Sequence, residues 1–215
     1  MSNPESFIDE VTDEVRRDKL FAAFRKYGWI GIALVVLTVG GAAYNEWHKA
    51  SQRDAARAFG DALLAGMEAE TPEARRTALA AVPASGEKAA VLNLLLASDP
   101  VEDRAATLAA LEAVAQDATL PDLWRDLATL RRVIVQGTEA PLADRRAALE
   151  PLAQPGRSFR PLAAEQLAYL LVEEGKTAEA ITALQALVAD QEAPGGLRSR
   201  ASQMIVALGG ELAQG

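Results

Sequence analysis

Nineteen consecutive residues without a charge, Tyr27 to Asn45 (YGWIGIALVVLTVGGAAYN), set the first constraint on this 215-residue chain. Arg25 and Lys26 precede the run, and Glu46 and Lys49 follow it. At 1.5 Å of rise per residue such a helix is about 28 Å long, close to the hydrocarbon thickness of a bilayer. Tyr27 and Trp29 at one end, and Tyr44 and Trp47 at the other, fall where interfacial aromatic belts form. The pattern predicts one membrane-spanning helix over 27–47. A buried core helix usually keeps a polar face, and Gly28 to Tyr44 has none. A cleaved signal peptide is the other candidate, because Gly40-x-Ala42 offers small residues to a peptidase. The preceding segment, however, is long and carries six acidic residues, and the run exceeds a typical signal core. Arg16-Arg17, as a twin-arginine signal, is separated from the run by Lys19, Arg25 and Lys26.

Flanking cations set the expected orientation. Arg16, Arg17, Lys19, Arg25 and Lys26 precede the span, whereas Lys49, Arg53 and Arg57 follow it. The excess places residues 1–26 in the cytoplasm and 48–215 outside, in the periplasm of a Gram-negative cell. Within the span, Thr38, Gly41 and Ala42 lie at i, i+3 and i+4, a stripe narrow enough for a second helix to approach. Small residues are also common in any membrane helix. Phe7, Ile8, Val11, Val15 and Phe21 make a weak helical stripe in the N-terminal segment, suited to a membrane surface, a partner or a solvated tail.

Composition removes much of ordinary chemistry. Thirty acidic against 22 basic residues, a net charge of -8, argue against nucleic-acid binding, which needs clustered cations. The absence of cysteine excludes disulfides, thiol nucleophiles and thiolate metal sites, and His48 is the only histidine. His48 beside Trp47 reads as an interfacial polar residue. Gly175-Lys176-Thr177 matches the end of a phosphate-binding loop, but Leu170 stands where that loop needs glycine, and Glu173 and Glu174 would face the phosphates. Glu165, Glu173, Glu174 and Glu179 read as solvated charge, and Arg131-Arg132 and Arg145-Arg146 as exposed helical faces. The expected protein is no enzyme and has no cofactor, metal or small-molecule substrate.

Beyond residue 48 alanine and leucine dominate and apolar residues recur at helical spacing. Leu120, Leu123, Trp124, Leu127, Leu130, Val133 and Ile134 trace one amphipathic face, and Leu197, Ala201, Met204, Ile205, Leu208 and Leu212 another. Prolines at 72, 100 and 121 mark helix starts, while Gly137, Gly156, Gly175 and Gly195-Gly196 mark stops. The predicted helices are 48–68, 72–82, 86–98, 100–117, 121–136, 141–153, 161–174, 177–190 and 197–213.

First helices of successive pairs begin near 86, 121 and 161, a spacing characteristic of helical-repeat arrays. The pair from Ala164 to Pro194 carries the pattern of alternating small and large apolar residues: Ala164, Leu167, Ala168, Leu171, Gly175, Ala180, Leu184 and Leu187. Ala168 and Ala180 allow close helix packing, and Gly175 turns the chain. The pattern is that of a tetratricopeptide repeat, with Leu171 and Leu184 where aromatics are usual. The expected fold is therefore all-α: one transmembrane helix, then a tetratricopeptide-like α-solenoid closed by a C-terminal capping helix, with a generic helical bundle as the alternative. Such arrays offer a concave face to a peptide or helix.

The order of parts, FIDEVTDEVRRDKLFAAFRKYG, a span ending in GGAAYNEW, alanine-rich repeats and a closing LRSRASQMIVALGG, resembles the YfgM-like family of membrane-anchored tetratricopeptide-like proteins in its α-proteobacterial form. The resemblance implies an inner-membrane protein with periplasmic repeats, an ancillary subunit of the SecYEG translocon that works with periplasmic chaperones on exported proteins. A membrane-tethered adaptor for another envelope assembly or a cell-division complex is the alternative.

Overall fold

Alanine-rich segments punctuated by proline, glycine and aspartate fold into helices alone among the described residues of the computed structural model, which are 4–98 and 103–211, the side chains of 4–24 and of Tyr27 excepted. Two compact units, residues 1–60 and 61–215, divide the chain.

In the first unit α1 (Pro4–Met67) runs without interruption through the apolar segment and onward past its charged flank. From Gly28 it is long and apolar enough, by length and composition, to cross a membrane. Trp29, Ile32, Leu34, Val36, Leu37 and Val39 are 61–75% exposed, and no residue of the apolar window is buried. The stripe over Phe7, Ile8, Val11, Val15 and Phe21 lies outside the described side chains.

The second unit is a succession of short helices: the last turns of α1, then α2 (Pro72–Ala80), α3 (Glu87–Leu96), α4 (Arg104–Gln116), α5 (Asp122–Gln136), α6 (Leu142–Leu149), α7 (Arg160–Glu173), α8 (Thr177–Ala189) and α9 (Gly195–Ala207). Local chemistry fixes several starts. The Thr71 hydroxyl accepts from the Ala74 N–H at 3.2 Å with Pro72 at the first helical position, and the Asp103 carboxylate accepts from the Ala106 N–H at 2.9 Å. Asp103 is the N-cap of α4, and Pro100 lies outside the described residues.

Two glycines end helices in the left-handed conformation that lets following amides cap the last carbonyls. At Gly175 (φ +75°) the N–H reaches Val172 O and the Lys176 N–H reaches Leu171 O. At Gly209 (φ +80°) the N–H reaches Val206 O and the Gly210 N–H reaches Ile205 O. Gly175→Ala is therefore expected to lower stability by about 1 kcal/mol, because an L side chain is strained at that φ. Chemical denaturation checks it, and an unchanged midpoint would contradict the assignment. Gly195 and Gly196 behave differently from the expectation. They open α9 after Pro194 with ordinary φ, since Pro194 ends the preceding turn and its carbonyl accepts from the Leu197 and Arg198 amides.

First helices α3, α5, α7 and α9 begin at 87, 122, 160 and 195, intervals of 35, 38 and 35 residues. The first three pack on the second helices that follow them, α9 packs on α8, and α3 touches α5 as α7 touches α9. Three apolar clusters result. The first joins Leu94, Leu111, Val114 and Ala128 of α3–α5, the second Leu130, Val133, Leu149 and Leu170 of α5–α7, and the third Ala168, Leu184, Leu197 and Ile205 of α7–α9. Because α5 and α7 each serve two clusters, the core propagates from pair to pair as in a solenoid. On α9, Ser199 and Gln203 face solvent, with Val206 the only large apolar residue recorded as exposed there. A polar outer face suits a capping helix. The helix stops at Ala207, six residues before its expected end, because Gly209 reverses the chain, and Leu212 lies outside the described residues.

The expected single face of α5 divides. Leu120, Leu130 and Val133 are buried and Trp124 and Leu127 half-buried, but Leu123 and Ile134 are 49% and 52% exposed. A helix wedged between two neighbours buries two flanks, which leaves the ridge between them in solvent.

Candidate protein-binding surface and the clasps that hold it

The residues of the repeat signature lie along α7 and α8 and the turn between them; Ala168, Leu184 and Leu187 share a cluster with Ala164, whereas Leu167 packs on the α5–α7 cluster. Ala168, Ala180, Leu184 and Leu187 are buried, Ala164, Leu167 and Leu171 are half-buried, and Gly175 forms the turn between the helices. Ala168 and Ala180 are fully enclosed, as close helix approach requires. In the first unit Thr38, Gly41 and Ala42 are exposed. The Thr38 hydroxyl donates to Leu34 O at 2.9 Å and lies 3.0 Å from Val35 O, so its polar group is satisfied within its own helix. His48 is exposed, stacked on Tyr44 with ring centroids 6.2 Å apart and 2.9 Å from the Gln52 amide.

The charged residues correct the sequence reading more sharply. Glu165, expected in solvent, is 2% exposed. Arg200 of α9 grips it with two parallel bonds of 3.0 and 2.9 Å, and the Tyr169 hydroxyl donates to it at 3.1 Å. Burial, then the Glu165 charge, push the Tyr169 phenol upward. Arg145, expected on an exposed face, is 5% exposed and donates to Glu173 at 2.8 Å and to Ala140 O at 3.0 Å. Arg146 donates to Glu174 at 2.7 Å, and Arg132 pairs with Glu112. Arg131 holds the carbonyls of Leu94 and Ala97 at the end of α3, at 3.0 and 2.7 Å. Glu179 is exposed, as expected.

These contacts recur along the array. Arg157 reaches back to Asp122 and buried Asp126, as Arg200 does to Glu165. Arg160 joins Asp190 and Glu192, and Arg104 joins Glu139 and Gln136 O. Guanidinium, planar and delocalised, suits such forked contacts better than ammonium, and the chain holds 17 arginines against five lysines. The turns before two of the first helices also share a local pattern. Asp117 and Asp190, each four residues before a proline, accept the N–H two residues on (Thr119 and Glu192, both at 2.9 Å), and the turn then buries Leu120 or Ala193.

Clasping lowers several carboxylates. Arg125 and Arg157 hold Asp122 below its usual range, Arg145 holds Glu173, Lys176 and Arg146 hold Glu174, and the Glu192 N–H with Arg160 holds Asp190. A carboxylate with a depressed folded-state pKa stabilises the fold above its unfolded value, about 4. That stabilisation drains away as the pH falls through the folded value. The melting temperature is therefore expected to stay level from neutral pH to about 5 and to drop below about 4. A drop beginning near pH 6 would point to other groups.

The ridge of α5 leaves apolar side chains accessible, as Leu64, Met67 and Val206 also are. Leu123 and Ile134 lie eleven residues apart, about 20° apart around the helix, with half-buried Leu127 between them. No group of three or more potential metal ligands is present among the described residues.

A succession of helix pairs with shared cores and period-spaced clasps defines a helical-repeat protein. The model of the tetratricopeptide repeat-like domain family matches residues 21–206, and the chain belongs to that family. No curated protein and no solved structure matches the chain significantly.

Proposed function

We propose that the protein is a membrane-anchored, non-catalytic interaction scaffold, held in the inner membrane by residues 27–47 with its N-terminus cytoplasmic and its repeats periplasmic. The observation that carries this reading is an apolar helix face exposed on every side, next in sequence to a tetratricopeptide-like unit. Exposing that much apolar surface to water is costly at about 25 cal/mol per Å², whereas lipid removes the cost. A tethered repeat surface gains a high effective concentration for partners in the same membrane, so weak contacts suffice.

The resemblance to the YfgM-like family makes SecYEG and periplasmic chaperones or exported proteins the partners to test. Photo-crosslinkers at Thr38 and Gly41 are expected to capture SecY or SecE, and crosslinkers on the repeats to capture chaperones or exported chains. Crosslinks to an unrelated envelope complex alone would move the scaffold to another assembly. Failure of reciprocal pulldowns at native expression to recover SecYEG would remove the translocon reading. Leu123→Glu with Ile134→Glu is expected to reduce capture by the repeats while shifting stability by about 0.5 kcal/mol or less per site, since both side chains are half exposed.

A further inference from the structure

A pocket of 90 Å³ opens where the last turn of α1 meets α2 and α3. Met67, Leu79, Leu95 and Leu96 form its apolar walls, and Arg75 and Arg76 supply its charge. Its geometry begins at Gly66, which lets α2 approach α1 closely. A Cβ at that position would meet Leu79 Cδ2 at 2.9 Å. The side chains around the opening are not all enclosed: Leu95 and Leu96 are half-buried, and Met67 is exposed.

The two arginines differ in what they hold. Arg76 pairs with Asp103. Arg75 donates from Nε to Met67 O at 3.2 Å, and its two terminal nitrogens meet no carboxylate among the described residues. Elsewhere in the array Arg104, Arg132, Arg145, Arg146, Arg157 and Arg200 are each already clasped by an acid. No carboxylate lines the pocket, although the chain as a whole carries a net charge of -8. A cation is therefore repelled there, and an uncharged alkane would desolvate the guanidinium without giving it an acceptor. A carboxylate takes the free edge of a guanidinium with two parallel bonds, and an alkyl chain of a few carbons removes the leucine walls from water. The Ser98 hydroxyl in the lining has no histidine or carboxylate beside it in the pocket, so the site binds without turning its ligand over.

We propose that this pocket binds a short-chain alkyl carboxylate, with Arg75 on the carboxylate and Leu79, Leu95 and Leu96 around the tail. The site shares no residue with the α5 ridge, and it stands or falls apart from membrane anchoring and from SecYEG.

The test titrates hexanoate into full-length protein held in phosphatidylcholine nanodiscs and labelled with 13C at the methionine methyls. Met67 lines the pocket, whereas Met204 packs on the α7–α9 cluster and serves as the internal reference. A saturable shift is expected at Met67 with Met204 unmoved. Affinity is expected to rise about fourfold per methylene from butanoate to hexanoate, the gain for burying one CH₂. Acetate and hexylammonium are expected not to saturate the site. Arg75→Gln is expected to weaken hexanoate about tenfold, the loss of one charge-assisted hydrogen bond. Ser98→Trp, at an exposed position of the lining, is expected to block the pocket. If Arg75→Gln loses helical structure, Ser98→Trp and the chain-length series decide the matter. Absence of saturation, equal shifts at Met204, equal binding of hexylammonium, or unchanged binding by the variants would each overturn the proposal. Tighter binding of acetyl-leucine than of hexanoate would overturn it too, by assigning the pocket to a polypeptide end.

Discussion

Replacing Leu184 by alanine is expected to destabilise the repeat unit by about 3 kcal/mol, within the range for deleting a fully enclosed leucine. Leu184 has no solvent-exposed surface and belongs to the cluster joining α7, α8 and α9. Neighbouring backbones held close by Ala168 and Ala180 cannot collapse readily into the void, so the loss includes the cavity left behind as well as the lost burial. The location of the loss matters as much as its size. In an array whose units touch only their neighbours, stability is a sum of unit and interface terms. Hydrogen exchange is therefore expected to accelerate most in α7–α9 and least in α3 and α4, whose cluster shares no residue with that of Leu184. A uniform acceleration would show a single cooperative bundle, and a loss below about 1 kcal/mol would show that the site repacks.

The same cluster explains why the helices were legible and the clasps were not. Proline and glycine punctuate the chain at 72, 121, 137 and 175, and these signals act locally, through missing N–H groups and positive φ. The repeat signature over Ala164–Leu187 is equally local, because it records which positions of one helix pair face each other. Glu165 and Arg200 are 35 residues apart, and nothing in either helix taken alone says that its charge is buried. Gly195 and Gly196 depart from the expected stop for a related reason. Glycine after an apolar run signals a stop only if the next turn does not begin a helix, and Pro194 begins one. The division of the α5 face came from tertiary placement, since periodicity marks apolar positions but not how many neighbours cover them.

Arg200→Ala and Glu165→Gln separate the two halves of the best-buried clasp. Glu165 is enclosed, whereas the Arg200 side chain is about half exposed at 53%. Removing the arginine leaves a buried carboxylate with only the Tyr169 hydroxyl, a loss expected at about 3 kcal/mol at neutral pH. Neutralising the acid leaves a solvated guanidinium and is expected to cost about 1 kcal/mol. Equal losses would mean that Glu165 is hydrated in solution.

The largest effect is expected in the first unit. Val36→Asp combined with Leu37→Arg places two charges near the midpoint of 27–47. Each charge costs about 3 kcal/mol at the centre of a spanning helix, and together about 6 kcal/mol, enough to reverse insertion of a single span. The wild-type chain is expected to stay in membranes through alkaline carbonate extraction, and the double variant to leave them. The control pair Ala50→Asp and Ala58→Arg lies beyond Trp47 in the charged continuation of α1, where both positions are exposed, and is expected to change nothing. The repeat unit serves as an internal standard. Its clusters are built from residues 90 to 205, so its circular dichroism and melting should survive the loss of the span. Retention of the double variant in the membrane would assign anchoring to other residues. Extraction of the wild-type chain, with its N-terminus mapped beyond Ala42, would replace the anchor with a cleaved signal and leave the scaffold soluble in its compartment.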